Sequence, residues 1–267
     1  MPAWLSVIVL GIIEGVTEFL PISSTGHLLL VENSNLVPRQ SDLFNITIQS
    51  GAALAVLAVF GTRIRDLLLR LGDPESRAYV LKLLFAFAIT GAGGLLAKKA
   101  GFTLPKEIEP IAWATLIGGV VIIAIEWWAR QRRLAPPITW SVAAAVGIAQ
   151  LLAAIFPGTS RAGATILIAL ALGVTRPAAT EFSFLLGIPT LFTASAYEIY
   201  ETLRHHPGAD APPDWAMVAL GTLVSAIVAF LVVKWLVRWV QSHTFFVFGW
   251  YRVALGLLMV ALAGAPR

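Results

Sequence analysis

Six long apolar runs dominate the chain, at roughly Leu43 to Phe60, Val80 to Ala97, Ile108 to Ala129, Glu181 to Ile199, Trp215 to Val237 and Phe245 to Ala263. Each comes close to the ~20 residues that a helix needs to cross a bilayer, so the pattern predicts at least six membrane-crossing helices. Two further apolar segments do not fit that length. Trp4 to Val31 and Trp140 to Leu172 are each interrupted by a proline, Pro21 and Pro157, and resume with hydroxyl residues. Their second arms, Ile22 to Val31 and Gly163 to Leu172, hold about ten residues, roughly 15 Å of helix against a hydrocarbon core of ~30 Å. Such arms stop or turn midway. We therefore expect two re-entrant helical hairpins, a form tolerated only where protein or water covers the broken backbone.

Composition agrees with that pattern. The 267 residues are 58% hydrophobic and 13% charged, with a mean hydropathy of +0.81. So little polar surface cannot coat a soluble globule, and the chain reads as an all-α polytopic membrane protein. The nine tryptophans fall mostly near run ends, where indole prefers the headgroup level. With no cysteine there is no disulfide, thiolate nucleophile or cysteine-bound zinc. No basic residue precedes the first arm, which carries Glu14 and Glu18, so a cleaved signal peptide is not expected. The net charge of +4 reads as membrane orientation and not as a nucleic-acid surface.

The two interrupted segments share one template. Laid over each other, Gly11 to His27 and Gly147 to Gly163 match Glu14 with Gln150, Pro21 with Pro157, Ser23 with Thr159, Ser24 with Ser160 and Thr25 with Arg161. The chain thus reads as a single integral membrane domain of two repeats, about 1–133 and 134–267, each a hairpin plus three transmembrane helices. If a hairpin returns to the side it entered from, each repeat makes an odd number of crossings and the second is inverted. If the first arm crossed fully, the repeats would be parallel. Opposed hairpins bring their tips together near the midplane, as many carriers do. Arg63, Arg65, Arg70, Arg77, Arg130, Arg132, Arg133, Arg176, Lys234 and Arg238 fall on one side in this scheme, against Arg39, Lys98, Lys99, Lys106, Arg204 and Arg267 on the other. The positive-inside rule makes the richer side cytoplasmic and puts both termini outside.

The tips carry the chemistry. Glu14 and Glu18, four residues apart, share one face of a helix, far from a polar end. Intramembrane carboxylates are costly and mark function more often than not, although a hydrogen bond to a neighbouring helix is the plain alternative. Two so close share a proton or hold a divalent cation. After Pro21, Ser23, Ser24, Thr25, Gly26 and His27 stand where a helix start offers unpaired N–H groups and the positive end of its dipole, a ready site for phosphate. Capping alone would need one hydroxyl. Gly158, Thr159, Ser160 and Arg161 repeat the construction and add a guanidinium, which serves either as an ion pair with Glu14 or Glu18 or as a phosphate clamp. His27 is an acid, a base, a phosphate ligand, or a polar contact between helices.

These residues also carry a resemblance. Glu14-Gly15-Val16-Thr17-Glu18-Phe19-Leu20-Pro21-Ile22-Ser23-Ser24-Thr25-Gly26-His27 and Pro157-Gly158-Thr159-Ser160-Arg161-Ala162-Gly163-Ala164-Thr165 resemble the two signature motifs of the undecaprenyl-pyrophosphate phosphatases of the bacitracin-resistance type. The likeness continues through Gln49-Ser50-Gly51-Ala52 and Glu181-Phe182-Ser183-Phe184-Leu185-Leu186-Gly187-Ile188-Pro189 and departs at Ala162, where the family usually has serine. It implies hydrolysis of the terminal phosphate of undecaprenyl pyrophosphate with a divalent cation, Mg2+ or Ca2+, in a bacterial inner membrane, and leaves a homodimer as an alternative to a monomer. The expected catalytic residues are Glu14, Glu18, Ser24, His27 and Arg161, with Glu14 and Glu18 on the metal. Substrate contacts are expected from Ser23, Thr25, Gly26, Gln150, Gly158, Thr159, Ser160 and Thr165. Ser24 attacks with Glu18 or His27 taking its proton, or a metal-activated water attacks with Ser24 as a ligand. The competing class is a transporter or flippase of a phosphorylated polyprenyl lipid, which inverted repeats would equally suit. Plainer readings cover the rest: Asn45 and Gln49 as interhelical contacts more than as residues facing the site, Gly91, Gly93, Gly94, Gly118 and Gly119 as close-packing sites, and Glu126, Glu198 and Glu201 as solvated or interfacial.

Overall fold

A computed structural model describes residues 1–33, 36–101, 107–135, 137–205 and 213–263; Lys106 and Arg267 among the loop charges lie outside them. The described residues form eleven helices: α1 (Ala3–Thr17), α2 (Ser24–Asn33), α3 (Asp42–Val59), α4 (Gly61–Leu69), α5 (Pro74–Lys99), α6 (Ile108–Ala129), α7 (Trp140–Ile155), α8 (Arg161–Ala171), α9 (Arg176–His205), α10 (Trp215–Trp239) and α11 (Phe246–Ala263). Six of these, α3, α5, α6, α9, α10 and α11, are long and apolar enough to cross a membrane and coincide with the six apolar runs. The chain is a multi-pass, all-helical membrane protein. The two interrupted segments are the short pairs α1–α2 and α7–α8. Helix starts follow local chemistry: Ser41, Asp73, Thr139, Ser160 and Asp214 each accept a backbone N–H from the first turn, which satisfies an otherwise orphaned donor. Helix α4 falls in a polar stretch that reads as loop; it buries Leu67 and exposes Leu68 and Leu69.

Packing pairs helices of the first half of the chain with helices of the second. Helix α1 lies on α10 and α7 on α5, while α3 meets α9 and α6 meets α11. Gly11 faces Gly221 and Gly15 faces Ser225, so α1 and α10 run in parallel; Gly147 faces Ala86 and Gly93 faces Leu151, so α7 and α5 do the same. In α6 and α11, Leu116 faces Gly256 and Ile123 faces Gly249, an antiparallel register. The α3–α9 pair is antiparallel as well, since Ser195 Oγ donates to the Ile46 carbonyl and Phe60 packs on Phe184. A Cβ at Gly15 would come 2.7 Å from the Ser225 carbonyl and one at Gly119 2.8 Å from that of Gly249, so these glycines permit the backbone approach that membrane helices use. Gly91 and Gly94 instead face open space, and packing does not explain them.

One sequence expectation is overturned. Glu126 is fully buried: its carboxylate accepts from Arg176 through Nε (2.9 Å) and Nη2 and from the Phe245 N–H at 2.7 Å. The partner lies fifty residues along the chain, so position near a run end gave no hint that the acid would join the end of α6 to the starts of α9 and α11. Asn45 donates to Glu32 at 3.3 Å, linking α3 to α2 as an interhelical contact.

Candidate functional site

The two breaks meet. In both, the residue before the second helix is a serine with positive φ, Ser23 at 73° and Ser160 at 69°, a left-handed conformation that costs a non-glycine residue energy and needs support. Each serine caps the helix that follows: Ser23 Oγ accepts from Gly26 N–H at 3.3 Å and Ser160 Oγ from Gly163 N–H at 3.1 Å. The structural register therefore differs by one from the sequence overlay. Ser23 corresponds to Ser160 and Ser24 to Arg161, with one residue more between proline and cap in the second copy. The first residue of α2 is a hydroxyl and the first residue of α8 is a guanidinium.

Both converge on one carboxylate. Glu18 follows the last residue of α1, still with helical dihedrals. Ser24 Oγ donates to its Oε2 at 2.7 Å, and Arg161 Nη2 donates to its Oε1 at 2.8 Å. All three are buried or nearly so. Arg161 also lies over the ring of Phe19, 4.8 Å from its centroid. Its Nε and Nη1 are buried with no hydrogen-bond partner among the described residues. Thus one side chain combines an ion pair with buried N–H donors that no described residue uses. Gly187 on α9 makes room for it, because a Cβ there would overlap Nη1.

Glu14 stands one turn before Glu18, fully buried, and neither of its oxygens makes a hydrogen bond. An orphaned buried carboxylate calls for a proton or a cation. No group of three or more His, Cys, Asp or Glu side chains able to hold a metal occurs among the described residues. The two unused oxygens of Glu14 beside Glu18 nevertheless have the chemistry that would suit a hard divalent ion.

The other predicted residues have other partners. His27 Nδ1–H donates to the Ser23 carbonyl at 2.7 Å, which in the neutral ring leaves Nε2 to accept from Tyr251 at 2.6 Å; the imidazole stacks on that phenol, while the Ser24 hydroxyl is directed to Glu18. Thr25 is half-buried in the first turn of α2. Thr159 Oγ1 donates to the Phe156 carbonyl and Ser160 Oγ to that of Leu20, at 2.7 and 3.4 Å. Thr165 is bonded to Ser183 on α9. Gln150, the counterpart of Glu14, directs its amide to Thr90 and Thr190, at 3.1 and 3.0 Å, and joins none of the tip residues.

One residue escaped the sequence reading. Arg252 lies midway along α11, 1% exposed, and donates to the carbonyls of Pro21, Thr159, Gly158, Thr115 and Ala114. The signal was present: a lone arginine inside an apolar run is as costly as Glu14 or Arg161. A cavity of about 500 Å³, lined by Phe60, Arg63, Tyr79, Lys82 and Glu181 among others, includes none of the tip residues. The rings of Phe60, Phe184 and Phe19 form a contact chain from its wall to the face of Arg161.

The family model described as bacitracin resistance protein BacA matches residues 7–258. An undecaprenyl-diphosphatase of Rhizobium etli is 50% identical over 260 residues, 97% of each chain. Proteins of the same name from Xylella fastidiosa and Xanthomonas oryzae are each 46% identical, over 95% of this chain and 96% of theirs and over 96% of both, respectively.

Proposed function

The chain belongs to the bacitracin resistance protein family, and we propose that it is an undecaprenyl-diphosphatase, a membrane hydrolase that converts undecaprenyl pyrophosphate into undecaprenyl phosphate and inorganic phosphate. One observation carries the reading: Ser24 and Arg161, first residues of two short helices, meet on the two oxygens of Glu18. A hydroxyl bonded to a buried carboxylate is an activated nucleophile. A guanidinium with two uncommitted donors is suited to phosphoryl oxygens.

The first step forms a bond from Ser24 Oγ to the terminal phosphorus and breaks the bridging P–O bond. The lipid monophosphate leaves with that electron pair, and the serine proton passes to Glu18 Oε2. Glu18 passes that proton to the departing lipid phosphate. Water then attacks the phosphoserine phosphorus and gives a proton to the freed carboxylate. The P–Oγ bond breaks with its electron pair on Ser24 Oγ, and Glu18 returns the proton to that oxygen as phosphate leaves. Arg161 and the helix starts neutralise the charge that builds on the phosphoryl oxygens, which is most of what phosphoryl transfer requires. His27, occupied by Ser23 and Tyr251, holds the first turn of α2 in place. A divalent cation on Glu14 and Glu18, with Mg2+ and Ca2+ the candidates, would neutralise the pyrophosphate and orient it.

We read the halves 1–133 and 134–267 as inverted repeats with re-entrant hairpins. The support is that corresponding helices, α3 with α9 and α6 with α11, run antiparallel, whereas symmetry along the membrane normal would align them. The side bearing Arg63, Arg65, Arg70 and Arg130 is then cytoplasmic, in a bacterial inner membrane. The test is direct. Purified protein in detergent, given undecaprenyl pyrophosphate and a divalent cation, is expected to release phosphate, to lose that activity to a chelator, and to yield phosphoserine at position 24 on acid quench. Lipid movement across liposomes without phosphate release would assign the site to a carrier instead.

A further inference from the structure

We propose that Arg252 is a positioning residue for hydrolysis: it sets the mutual orientation of the two helix starts, and Gly118 is the residue that lets it do so. The inference rests on the phosphatase reading above. A guanidinium has five N–H donors in a rigid fork, and here all five are used on main-chain carbonyls. Nε donates to Thr115 at 3.1 Å, Nη1 to Pro21 at 3.3 Å and Thr159 at 2.8 Å, and Nη2 to Ala114 at 3.1 Å and Gly158 at 2.8 Å. One carbonyl belongs to the first break, two to the second and two to α6. Broken helices in a membrane leave such carbonyls without partners, and one side chain supplies them for both breaks at once.

The arrangement has directional consequences. In a trans peptide the C=O and the following N–H point opposite ways, so a Thr159 carbonyl aimed at Arg252 turns the Ser160 N–H away from it. The guanidinium therefore orients the backbone immediately before α8. Among the described residues no carboxylate pairs with Arg252, so the carbonyl dipoles of the breaks are its counterpart. The neighbouring Tyr251 holds His27 at 2.6 Å, so two consecutive residues of α11 grip the start of the first hairpin's second arm. Gly118 on α6 lies directly against the guanidinium: a Cβ there would overlap Nη2 and come 2.5 Å from Cζ. A methyl group at 118 and Arg252 in its present position are mutually exclusive.

The experiment measures steady-state phosphate release by purified, monodisperse protein in detergent, counted per folded molecule, for the parent, Arg252→Lys, Arg252→Gln, Gly118→Ala and the Gly118→Ala/Arg252→Lys double variant. A displacement of about 1 Å at a reacting centre costs ~100-fold in rate. Arg252→Gln and Gly118→Ala are expected to lower kcat by about that factor while KM moves less than about threefold. Arg252→Lys, with three donors for five carbonyls, falls between at about tenfold. Because Gly118→Ala by itself already displaces the guanidinium, the double variant is expected within about threefold of that single variant. Added guanidinium at low millimolar concentration is expected to restore part of the kcat of Arg252→Gln, which a general loss of packing would not allow. If Arg252→Gln cannot be recovered folded, Gly118→Ala and Arg252→Lys carry the test. The proposal is overturned if Gly118→Ala or Arg252→Gln keeps kcat per folded molecule within about threefold, or if the double variant multiplies the single losses. A parent protein that releases no phosphate overturns the phosphatase reading and this inference with it.

Discussion

The break before Ser24 and the break before Arg161 are built alike, with a short apolar helix, a proline, a serine in the left-handed region and a second short helix. What differs is what each presents from that frame. The first offers Glu14, a buried acid with no hydrogen-bond donor, and Glu18 with Ser24 bonded to it, the base and nucleophile of the proposed mechanism. The second has Gln150 where Glu14 stands and Arg161 where Ser24 stands. Its glutamine is turned away to Thr90 and Thr190, while its arginine reaches across to Glu18. Two segments of similar construction thus meet at their breaks, and a few side chains distinguish the half proposed to react from the half proposed to clamp.

The largest effects should come from the reacting half. Ser24→Ala is expected to reduce kcat by roughly 10⁴-fold or more and to abolish the trapped phosphoserine. Glu18→Gln should lose about 10²- to 10⁴-fold, because the amide cannot take the serine proton. Near-normal turnover by Ser24→Ala would shift the attack to water and make Ser24 a ligand. On the clamp side, Arg161→Gln should cost about 10²- to 10³-fold, the scale of one charge-stabilising donor group. Gly187→Ala should reproduce a large part of that loss with every charged group intact, since a Cβ at 187 occupies the space of Nη1. An unaffected Gly187→Ala enzyme would mean that the observed position of Arg161 is not the working one.

Much of this was legible in the chain. The six long apolar helices follow from run length, and the two short helix pairs from arms too short to cross. Glu14, Glu18 and Arg161 announce themselves as charges that hydrocarbon penalises. The register of the second break did not follow, because a one-residue difference between proline and cap leaves the motifs aligned by composition, and only the positive φ of Ser160 reveals it. Arg252 obeyed the same rule as Arg161 yet stood in no motif. Glu126 was missed because its partner Arg176 is remote in sequence and near in space. Side-chain chemistry could be read locally, whereas long-range pairing could not.

The acid pair offers a finer probe. Glu14 is fully buried and has no hydrogen-bond donor among the described residues, so on the proposed metal role Glu14→Gln removes a cation ligand without breaking a donor contact. The expected outcome is a rise of about tenfold to a hundredfold in the divalent-ion concentration that gives half-maximal activity, with the protein still folded. A titration in metal-buffered solution measures it. An unchanged half-maximal concentration would exclude Glu14 as a ligand and leave it as a protonated neighbour of Glu18.

Gln150 gives the smallest effect and the sharpest contrast, because it stands in the second interrupted segment where Glu14 stands in the first. Its amide already serves Thr90 on α5 and Thr190 on α9, so it ties the second hairpin to its neighbours and has no donor to spare for substrate. Replacing it with leucine loses two buried hydrogen bonds and should lower thermal stability by about 1–3 kcal/mol. The kcat of the folded fraction should change by less than about threefold, because no group at Glu18 moves. A kcat loss as large as that of Glu14→Gln would mean that the second hairpin shares in the reaction. The division into reactor and clamp would then be wrong at the position where the two copies diverge most simply.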